Sequence, residues 1–232
     1  MFTNINRMLA VSIVWLVTVF VFFETTDADL WVQDHFYDFG THSWAIDAKS
    51  ALPRALCYTG PKILIWCIGL ALAGMLVVPT HSTIRKMMPD WRRKDILVAV
   101  ATLAIAPASI ATLKAVTNVH TPSEIRRYGG FAPYVKVCES YPSEDRPARR
   151  GRGFPAGHAS GGFALMALAG LARSRRTGMA CLIGGLATGS ILGAYQMLKG
   201  AHYLSHTVIS ALLCWIIFLM LRKWLGCKCE RS

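Results

Sequence analysis

Three histidines and a lysine are the residues in this chain whose types and spacing suit chemistry. His158 lies in Gly151 to Leu165 (GRGFPAGHASGGFAL), and His202 and His206 lie four residues apart in GAHYLSH. Lys114 stands at the end of an apolar block. Imidazole can attack a phosphorus atom or move a proton near neutral pH, and cations can hold charged oxygens. The set predicts phosphoryl transfer, in which one histidine attacks phosphorus and a second protonates the leaving oxygen.

The stretch around His158 has the features of an anion-binding helix start. Pro155 suits the first turn of a helix, and Gly157 lets a backbone N–H approach a ligand with no side chain in the way. A helix start also presents unpaired N–H groups and positive dipole to an anion. The alternative interpretation of a glycine-flanked histidine at this position is a purely structural role.

The composition indicates a membrane protein. Of the 232 residues, 53% are hydrophobic and 16% are charged, whereas roughly 25% charged residues are usual in soluble domains. The apolar residues come in long blocks, as membrane spans do. The net charge of +12 lies in short loops between these blocks, where basic residues set topology or meet anionic headgroups. We therefore expect a lipid bilayer, and no nucleic acid, as partner.

We predict an all-α integral membrane protein in which residues 1–232 form one domain, with six transmembrane helices in one bundle. The predicted spans cover residues 8–23, 61–79, 95–113, 157–172, 178–198 and 203–221. Aromatic and acidic residues between positions 29 and 55 predict one or two amphipathic interfacial helices between spans one and two. Gly185, Gly189 and Gly193 predict a small face for close helix contact, and Pro107 predicts a kink.

This topology brings three polar stretches to one side of the membrane. Six spans place both termini on the same side, and the positive-inside rule makes that side cytoplasmic once the basic residues from Lys114 to Arg152 are set aside as a candidate site. The stretches on the opposite side are Lys114 to Pro122, Gly151 to Leu165 and Gln196 to His206. Polar groups at span ends that face a common surface are a functional hypothesis by default.

The three stretches resemble the three-part signature of the type 2 phosphatidic acid phosphatase superfamily, an integral-membrane branch of lipid phosphatases. That signature has a lysine, six residues and Arg-Pro; then Pro-Ser-Gly-His; then Ser-Arg, five residues, His, three residues and Asp. The matching residues here, in chain order, are Lys114, Pro122, Pro155, Gly157, His158 and His202.

The resemblance implies a role for each matching residue. His202 would be the nucleophile that forms a phosphohistidine, and His158 the general acid. Lys114 and the Gly157 N–H would hold phosphate oxygens, and no metal or other cofactor is implied. The implied substrate is a phosphorylated membrane lipid.

Four positions depart from the signature. Thr121 and Gln196 stand where it has arginines, and neither can supply the charge of a guanidinium. Ala156 replaces its serine, and His206 replaces the aspartate that orients the nucleophile. On a helix, His206 and His202 share a face. A neutral imidazole nitrogen at His206 could accept the His202 N–H and fix its tautomer, more weakly than a carboxylate would.

Nearby cations are candidates to replace the missing charge. We favour Arg152, with His120 and Lys199 next, and Arg126 with Arg127 as further candidates. The predicted substrate-binding residues are therefore Lys114, Arg152, Gly157, His120, Thr121, Gln196 and Lys199.

Simpler interpretations of these residues also exist. Lys114 at a span end can be a lysine that snorkels to the headgroups, and the basic cluster Arg146 to Arg152 can bind anionic headgroups without catalysis. The His202–His206 spacing also suits zinc, but no glutamate follows the first histidine and no third ligand is evident, so we expect no metal site.

The prediction is a lipid phosphatase or phosphotransferase at the periplasmic face of a bacterial cytoplasmic membrane. Candidate substrates are lipid A, undecaprenyl pyrophosphate and phosphatidylglycerol phosphate. The alternative is a catalytically degenerate relative that binds or transports lipid. The sequence leaves open the oligomeric state and a bridge between Cys57 and Cys138.

Overall fold

The computed structural model describes residues 2, 4–79, 81–83 and 91–227 of the chain. Most of the basic loop after the second predicted span, and the basic residues at positions 228–232, lie outside the described residues. The topology prediction rested in part on these charges.

The described residues are mostly helical. In chain order the helices are α1 (Ile5–Thr25), α2 (Ala28–Asp34), α3 (Ala51–Val77), α4 (Arg93–Val116), α5 (Gly157–Ala164), α6 (Arg175–Leu198) and α7 (Leu204–Cys227). The shorter elements are an antiparallel hairpin of β1 (Tyr37–Asp38) and β2 (Ser43–Trp44), a π-helical segment within α3 (Ala55–Thr59), a 3₁₀ segment that continues α5 (Leu165–Gly170), and 3₁₀ turns at Pro122–Glu124, Arg126–Tyr128 and Ser143–Asp145.

Two helix starts follow directly from the sequence. The side chain of Asn4 accepts a hydrogen bond from the Arg7 N–H at 3.0 Å, and that of Ser174 accepts one from the Thr177 N–H at 3.0 Å. Each satisfies one of the N–H groups that a helix leaves unpaired at its start. Asn4 and Ser174 therefore fix where the apolar runs of α1 and α6 become helical.

Among the described residues, five helices are long and apolar enough to cross a membrane: α1, α3, α4, α6 and α7. They make the chain a multi-pass membrane protein. The prediction of six spans is not confirmed, because α5 has 8 residues and its 3₁₀ continuation has 6. A helix that spans the hydrocarbon layer needs about 20 residues. Four glycines in this segment (Gly157, Gly161, Gly162 and Gly170) disfavour a longer helix.

The core lies where α4, α5 and α7 meet. Ala106 and Ile110 of α4 pack with Phe163 and Ala164 of α5 and with Cys214 of α7, and all five are fully or almost fully buried. The outer faces of α1 and α3 are apolar but exposed, as they would be if they face lipid. The short helix α5 is thus an internal element of the bundle, and this position matters because α5 carries His158.

The predicted small face of α6 is confirmed. A Cβ on Gly189 would overlap the ring of Phe163, and one on Gly193 would overlap the side chain of Thr207. On the facing helix, a Cβ on Gly162 would lie 2.7 Å from the Cα of Gly189. Glycine at these positions lets α5 and α7 approach α6 closely, which holds their functional residues together.

The segment between the first two spans contains one short helix, α2, and the β1–β2 hairpin. The prediction of one or two amphipathic helices is therefore only partly matched, and an interfacial location is not confirmed. This segment is tied to the rest of the molecule by Asp29, which accepts hydrogen bonds from the N–H (2.8 Å) and hydroxyl (2.5 Å) of Ser205. Cys57 and Cys138 are both free thiols.

Candidate active site

Backbone hydrogen bonds join the three polar stretches at one end of the bundle. The N–H of Gly153 donates to the carbonyl of Val119 at 2.6 Å, and the N–H of Ala156 donates to the carbonyl of His206 at 3.2 Å. A third bond joins the N–H of Ser123 to the carbonyl of Gly200 at 2.8 Å. Each stretch is therefore bonded to another, and the predicted convergence of the three is present.

Two glycines make this close approach sterically possible. A Cβ on Gly151 would lie 2.5 Å from the carbonyl carbon of Val119, and a Cβ on Gly153 would lie 2.9 Å from the Val119 oxygen. Neither contact can be relieved by moving a side chain, because both involve backbone atoms. The loop that leads into α5 therefore needs glycine where it crosses the segment after α4.

The three predicted catalytic histidines lie together. The Nδ1 atoms of His202 and His206 are 3.3 Å apart, and the ring centroids of His158 and His202 are 6.0 Å apart. His202 is 1% exposed and His206 2%, whereas His158 is exposed. The pairing of His202 with His206 through Nδ1 leaves Nε2 of His202 outside that contact, whichever nitrogen carries the proton.

The surroundings of His202 favour its neutral form. Burial lowers its pKa well below the usual 6.5, and the nearby His206, Lys114 and His158 lower it further. A hydrogen bond with the Gly153 backbone opposes this shift but does not outweigh it. His202 is therefore an uncharged imidazole near neutral pH, which is the form with a lone pair available for nucleophilic attack.

The start of α5 faces open space. A Cβ placed on Gly157 would meet no atom within 4 Å, and Gly157 and His158 both line a cavity of ≈ 690 Å³. The preceding N–H, that of Ala156, is already bonded to the His206 carbonyl. The first turn of α5 thus presents its backbone and the imidazole of His158 to a space large enough for a ligand.

Lysine side chains supply the positive charge of the site. Lys114, Lys199 and Lys62 each act electrostatically on His158, and Lys114 also acts on His202. Arg152 is exposed and close enough to act on Lys114. Within the part of the chain that the structure describes, no ion pair with a carboxylate is present for any of these four residues. Lys114 and Lys199 are thus close to His158, and Arg152 lies at the edge of the group.

The two positions that lack the expected arginines have different environments. The Thr121 N–H and hydroxyl both donate to Glu124, at 2.9 and 3.0 Å, so Thr121 caps the turn that follows. Glu124 also contacts Nδ1 of His120 at 3.1 Å. Gln196 is 1% exposed, and neither polar atom of its amide has a partner among the described residues. Nε2 of His120 is likewise buried without a described partner.

Sequence reasoning missed two residues of the site, both on α3. The Tyr58 ring lies 4.9 Å from the His158 ring, centroid to centroid, and the Lys62 ammonium lies 5.8 Å from the Tyr58 centroid. Lys62 did leave a signal, because it is a charge within an apolar block directly after Pro61. Tyr58 left none, since its position depends on how α3 is rotated against α5.

The described residues contain no group of three or more His, Cys, Asp or Glu side chains that could hold a metal ion. His202 and His206 alone provide two ligands, and their Nδ1 atoms face each other rather than a common point. The polar groups of the site are instead imidazoles, ammonium groups and backbone N–H groups. Such groups suit an anion.

The model of the PAP2 superfamily matches residues 95–228, which is more than half of the chain and includes all three polar stretches. The chain belongs to the PAP2 superfamily. No curated protein and no solved structure gave a significant match. PAP2 proteins are typically phosphatases, so membership indicates phosphatase chemistry on a phosphorylated substrate, here in a bilayer environment. Tyr58 and Lys62 lie outside the matched residues, so they are features of this PAP2 chain that the family match does not cover.

Proposed function

We propose that this PAP2 protein is a lipid phosphatase that hydrolyses a phosphate or pyrophosphate monoester of a membrane lipid through a phosphohistidine on His202. The observation that carries the proposal is the placement of a buried, neutral His202 with its ring 6.0 Å from that of His158, beside Lys114. Nucleophile, acid and cation are the three parts that phosphoryl transfer requires.

In the first step, Nε2 of His202 attacks the phosphorus atom. The N–P bond forms as the bond from phosphorus to the leaving oxygen breaks, and His158 donates a proton to that oxygen. Burial and the nearby lysines lower the pKa of His158 to about 4 in the free site, so His158 takes this proton from solvent when the anionic phosphate binds and stabilises the charged imidazole. In the second step, His158 takes a proton from water, which attacks the phosphohistidine and releases inorganic phosphate. Both histidines then return to their starting states, and no other reactant is required.

Orientation of the nucleophile is the proposed role of His206. Its Nδ1 lies 3.3 Å from Nδ1 of His202, so one ring donates to the other and Nε2 of His202 points away from the pair. The Gly153 backbone supplies a second hydrogen bond to His202. Together they replace the carboxylate of the family signature with neutral groups, which hold the ring without adding negative charge next to a phosphate.

Lys114 and the N–H of Gly157 are proposed to bind the negatively charged oxygens of the transferring phosphate, with Arg152 at the exposed edge of the site. Lys114 is favoured because it acts on both His158 and His202. Thr121 is the weakest of the predicted ligands, since Glu124 already accepts from its N–H and its hydroxyl.

The proposed location is a bacterial cytoplasmic membrane with the site at the periplasmic face and the termini in the cytoplasm. Its support is the positive-inside rule together with the backbone bonds that hold the three polar stretches at one end of the bundle. Since the stretches before α5 and after α6 lie at the same end, α5 with its 3₁₀ continuation returns the chain to the opposite end, where α6 begins. Protease or cysteine-labelling accessibility from the periplasm, at Arg149→Cys, tests this orientation directly.

The function is tested with purified protein in detergent on three substrates: lipid A, undecaprenyl pyrophosphate and phosphatidylglycerol phosphate. We expect release of inorganic phosphate from one of them without added metal, and loss of release in His202→Ala. His35→Ala, which changes an exposed histidine outside the site, serves as the matched control and retains activity. Normal turnover by His202→Ala would exclude the mechanism.

A second candidate function is a degenerate relative that binds or transports lipid. It is favoured by Gln196, a buried amide without a described partner at a position where the family has an arginine. The double variant Gln196→Arg with His206→Asp separates the two. Activity only in that variant would support degeneracy, and activity in the unmodified protein would exclude it.

A further inference from the structure

A small cavity borders His206 at the start of α7. Its volume is ≈ 20 Å³, and its lining includes His206, Tyr203 and Asp29. The ring of Tyr203 lies 5.1 Å from that of His206, centroid to centroid. Tyr203 is 1% exposed, and its hydroxyl has no hydrogen-bond partner among the described residues. Because buried hydroxyls in proteins normally have a partner, this cavity calls for a polar occupant.

Asp29 brings a buried carboxylate to the same cavity. It lies on α2 and is 6% exposed. Its two oxygens accept hydrogen bonds from the N–H of Ser205 at 2.8 Å and from the Ser205 hydroxyl at 2.5 Å. Ser205 directly precedes His206, so the carboxylate is bonded to the backbone that carries the orienting histidine. The family match begins at residue 95 and does not cover Asp29.

The carboxylate of Asp29 is ionised at neutral pH. Burial raises its pKa to about 6, the bonds from Ser205 and the nearby Lys136 oppose this rise, and Glu24 adds to it. The remaining titratable groups at the cavity are Tyr134, Tyr203 and His206, with Asp27 next to it, paired with Lys136 at 3.2 Å. Above about pH 6 the cavity therefore holds a negative charge close to His206.

The cavity suits a water molecule. A water needs roughly 10–15 Å³ of such space and two to four polar partners. The lining offers three such partners, which are the carboxylate of Asp29, the hydroxyl of Tyr203 and the imidazole of His206. A water bound to them supplies the partner that the Tyr203 hydroxyl otherwise lacks.

We propose that a water in this cavity joins His206 to Asp29, so that Asp29 acts through His206 as a positioning residue for the nucleophile. The inference rests on the proposed phosphatase function and adds a residue to the same site. The carboxylate that the family signature places at position 206 is then supplied from α2, one histidine and one water further from His202.

Each link of this chain has one donor and one acceptor. His202 attacks through a lone pair on Nε2, so its proton is on Nδ1 and is donated to Nδ1 of His206. The proton of His206 is then on Nε2, which donates to the water, and the water donates to Asp29. Positive charge develops on the His202 ring as the N–P bond forms. The chain stabilises that charge without placing a carboxylate beside the phosphate.

The variant Asp29→Asn removes the charge and keeps the shape. Its amide can still accept from the Ser205 N–H and donate to the Ser205 hydroxyl. The assay is phosphate release at about pH 8, with whichever substrate the unmodified protein hydrolyses among lipid A, undecaprenyl pyrophosphate and phosphatidylglycerol phosphate. We expect kcat to fall roughly three- to tenfold, the size of one hydrogen bond, and KM to change by less than about twofold.

Thermal unfolding in detergent separates positioning from a structural role. Asp29→Asn removes a buried carboxylate, so the variant is at least as stable as the unmodified protein at about pH 8. A structural role predicts that activity is lost only together with stability. Asp34→Asn is the matched control, because Asp34 is on the same helix but bonds to Arg127 and Tyr128. This control retains kcat.

The pH dependence of the effect separates charge from shape. At about pH 5 the carboxylate of the unmodified protein is protonated and, like the amide, carries no charge. The ratio of kcat between the unmodified protein and Asp29→Asn is therefore largest at about pH 8 and approaches one at about pH 5. A ratio that does not change with pH would contradict the inference.

A double-mutant cycle shows whether Asp29 acts through His206. In the His206→Leu background, Asp29→Asn lowers kcat by less than about twofold, because the link is already broken. Tyr203→Phe, which removes one partner of the water, lowers kcat roughly two- to threefold in the unmodified background and not in His206→Leu. A full loss from Asp29→Asn in the His206→Leu background would overturn the inference.

Two other outcomes distinguish this inference from the proposed function. The Gly153 backbone also bonds to His206. An unchanged kcat in Asp29→Asn at about pH 8 would assign the support of His206 to that bond, which overturns the inference and leaves the phosphatase function standing. If the unmodified protein releases phosphate from none of the three lipids, the proposed function fails and this inference fails with it.

Discussion

The contact between His206 and His202 gives the sharpest prediction about how this PAP2 chain works without the aspartate of its family signature. Replacing His206 with leucine keeps an apolar side chain of moderate size in a site where His206 is 2% exposed. It also keeps the backbone carbonyl that accepts from Ala156. The change therefore removes the Nδ1 contact to His202, and apolar packing replaces the ring contacts that His206 makes with Phe154 and Tyr203.

The expected loss follows from the geometry of that contact. The two Nδ1 atoms are 3.3 Å apart, longer than a strong hydrogen bond, and both rings are buried. A buried polar group left without its partner costs about 1–3 kcal/mol. If that cost appears as lost orientation in the transition state, kcat falls roughly five- to 150-fold. KM changes little, because His206 does not face the substrate.

The assay is steady-state phosphate release by His206→Leu, with His35→Ala as control. An unchanged kcat would refute the orienting role of His206 and would assign it to the Gly153 backbone, which also bonds to His202. A loss confined to KM would refute it as well, since that result would place His206 in substrate binding.

The variant His206→Asp tests the same contact through pH. In the unmodified protein the pKa of His202 lies well below 6.5. The decrease in kcat/KM that protonation of His202 causes, the acid limb of the profile, is therefore located at low pH. A carboxylate beside the ring stabilises its protonated form and raises that pKa. His202 must be neutral to attack, so the acid limb moves to higher pH in His206→Asp. A shift in the opposite direction would contradict this electrostatic account.

Three further outcomes are expected. Gly162→Ala lowers the free energy of unfolding by about 1–3 kcal/mol, because the new Cβ would lie 2.7 Å from the Cα of Gly189. Thermal unfolding in detergent measures this loss. The control is Gly184→Ala, whose Cβ would meet no atom of another described segment within 4 Å and which does not destabilise the protein. Burial raises the pKa of Asp29 from 3.8 to about 6, so the folded state binds this proton more tightly than the unfolded state does. The free energy of unfolding therefore decreases as pH rises from about 4 to about 6, by up to roughly 3 kcal/mol. Asp29→Asn lacks this decline, and an identical pH profile in both proteins would contradict the assignment. Arg152→Gln raises KM roughly two- to fivefold at low salt, and the difference disappears at high salt because Arg152 is exposed. A loss of kcat that does not depend on salt would instead place Arg152 at the reacting phosphate.

Local sequence patterns predicted the parts of the site that local geometry controls. The contact between the rings of His202 and His206 was predicted from their four-residue spacing on a helix, and the structure has this contact. The predicted reason is wrong, because α7 begins at Leu204 and His202 lies before it. The three glycines at four-residue spacing in α6 predicted a close helix contact, and the packing of Gly189 against Phe163 confirms it. For the glycines, the spacing along one helix decides the result.

Features that depend on packing between distant segments were harder to predict. The segment that begins with α5 reads as a span because it is apolar, but the apolar residues are buried within the bundle and the helix is short. Thr121 was predicted to contact substrate, although the Thr-Pro-Ser-Glu sequence from Thr121 to Glu124 is also the pattern of a capped turn. Lys62 reaches His158 only through the arrangement of α3 against α5, which no local pattern encodes.

The central claim is that His202 carries the phosphate, and covalent trapping tests it most directly. The protein is mixed with a lipid substrate that it hydrolyses, quenched under alkaline conditions before turnover is complete, and digested for mass spectrometry. The account predicts phosphate on the peptide that contains His202, and none on that peptide in His202→Ala. Phosphate on His158 instead, or full turnover by His202→Ala, would contradict it.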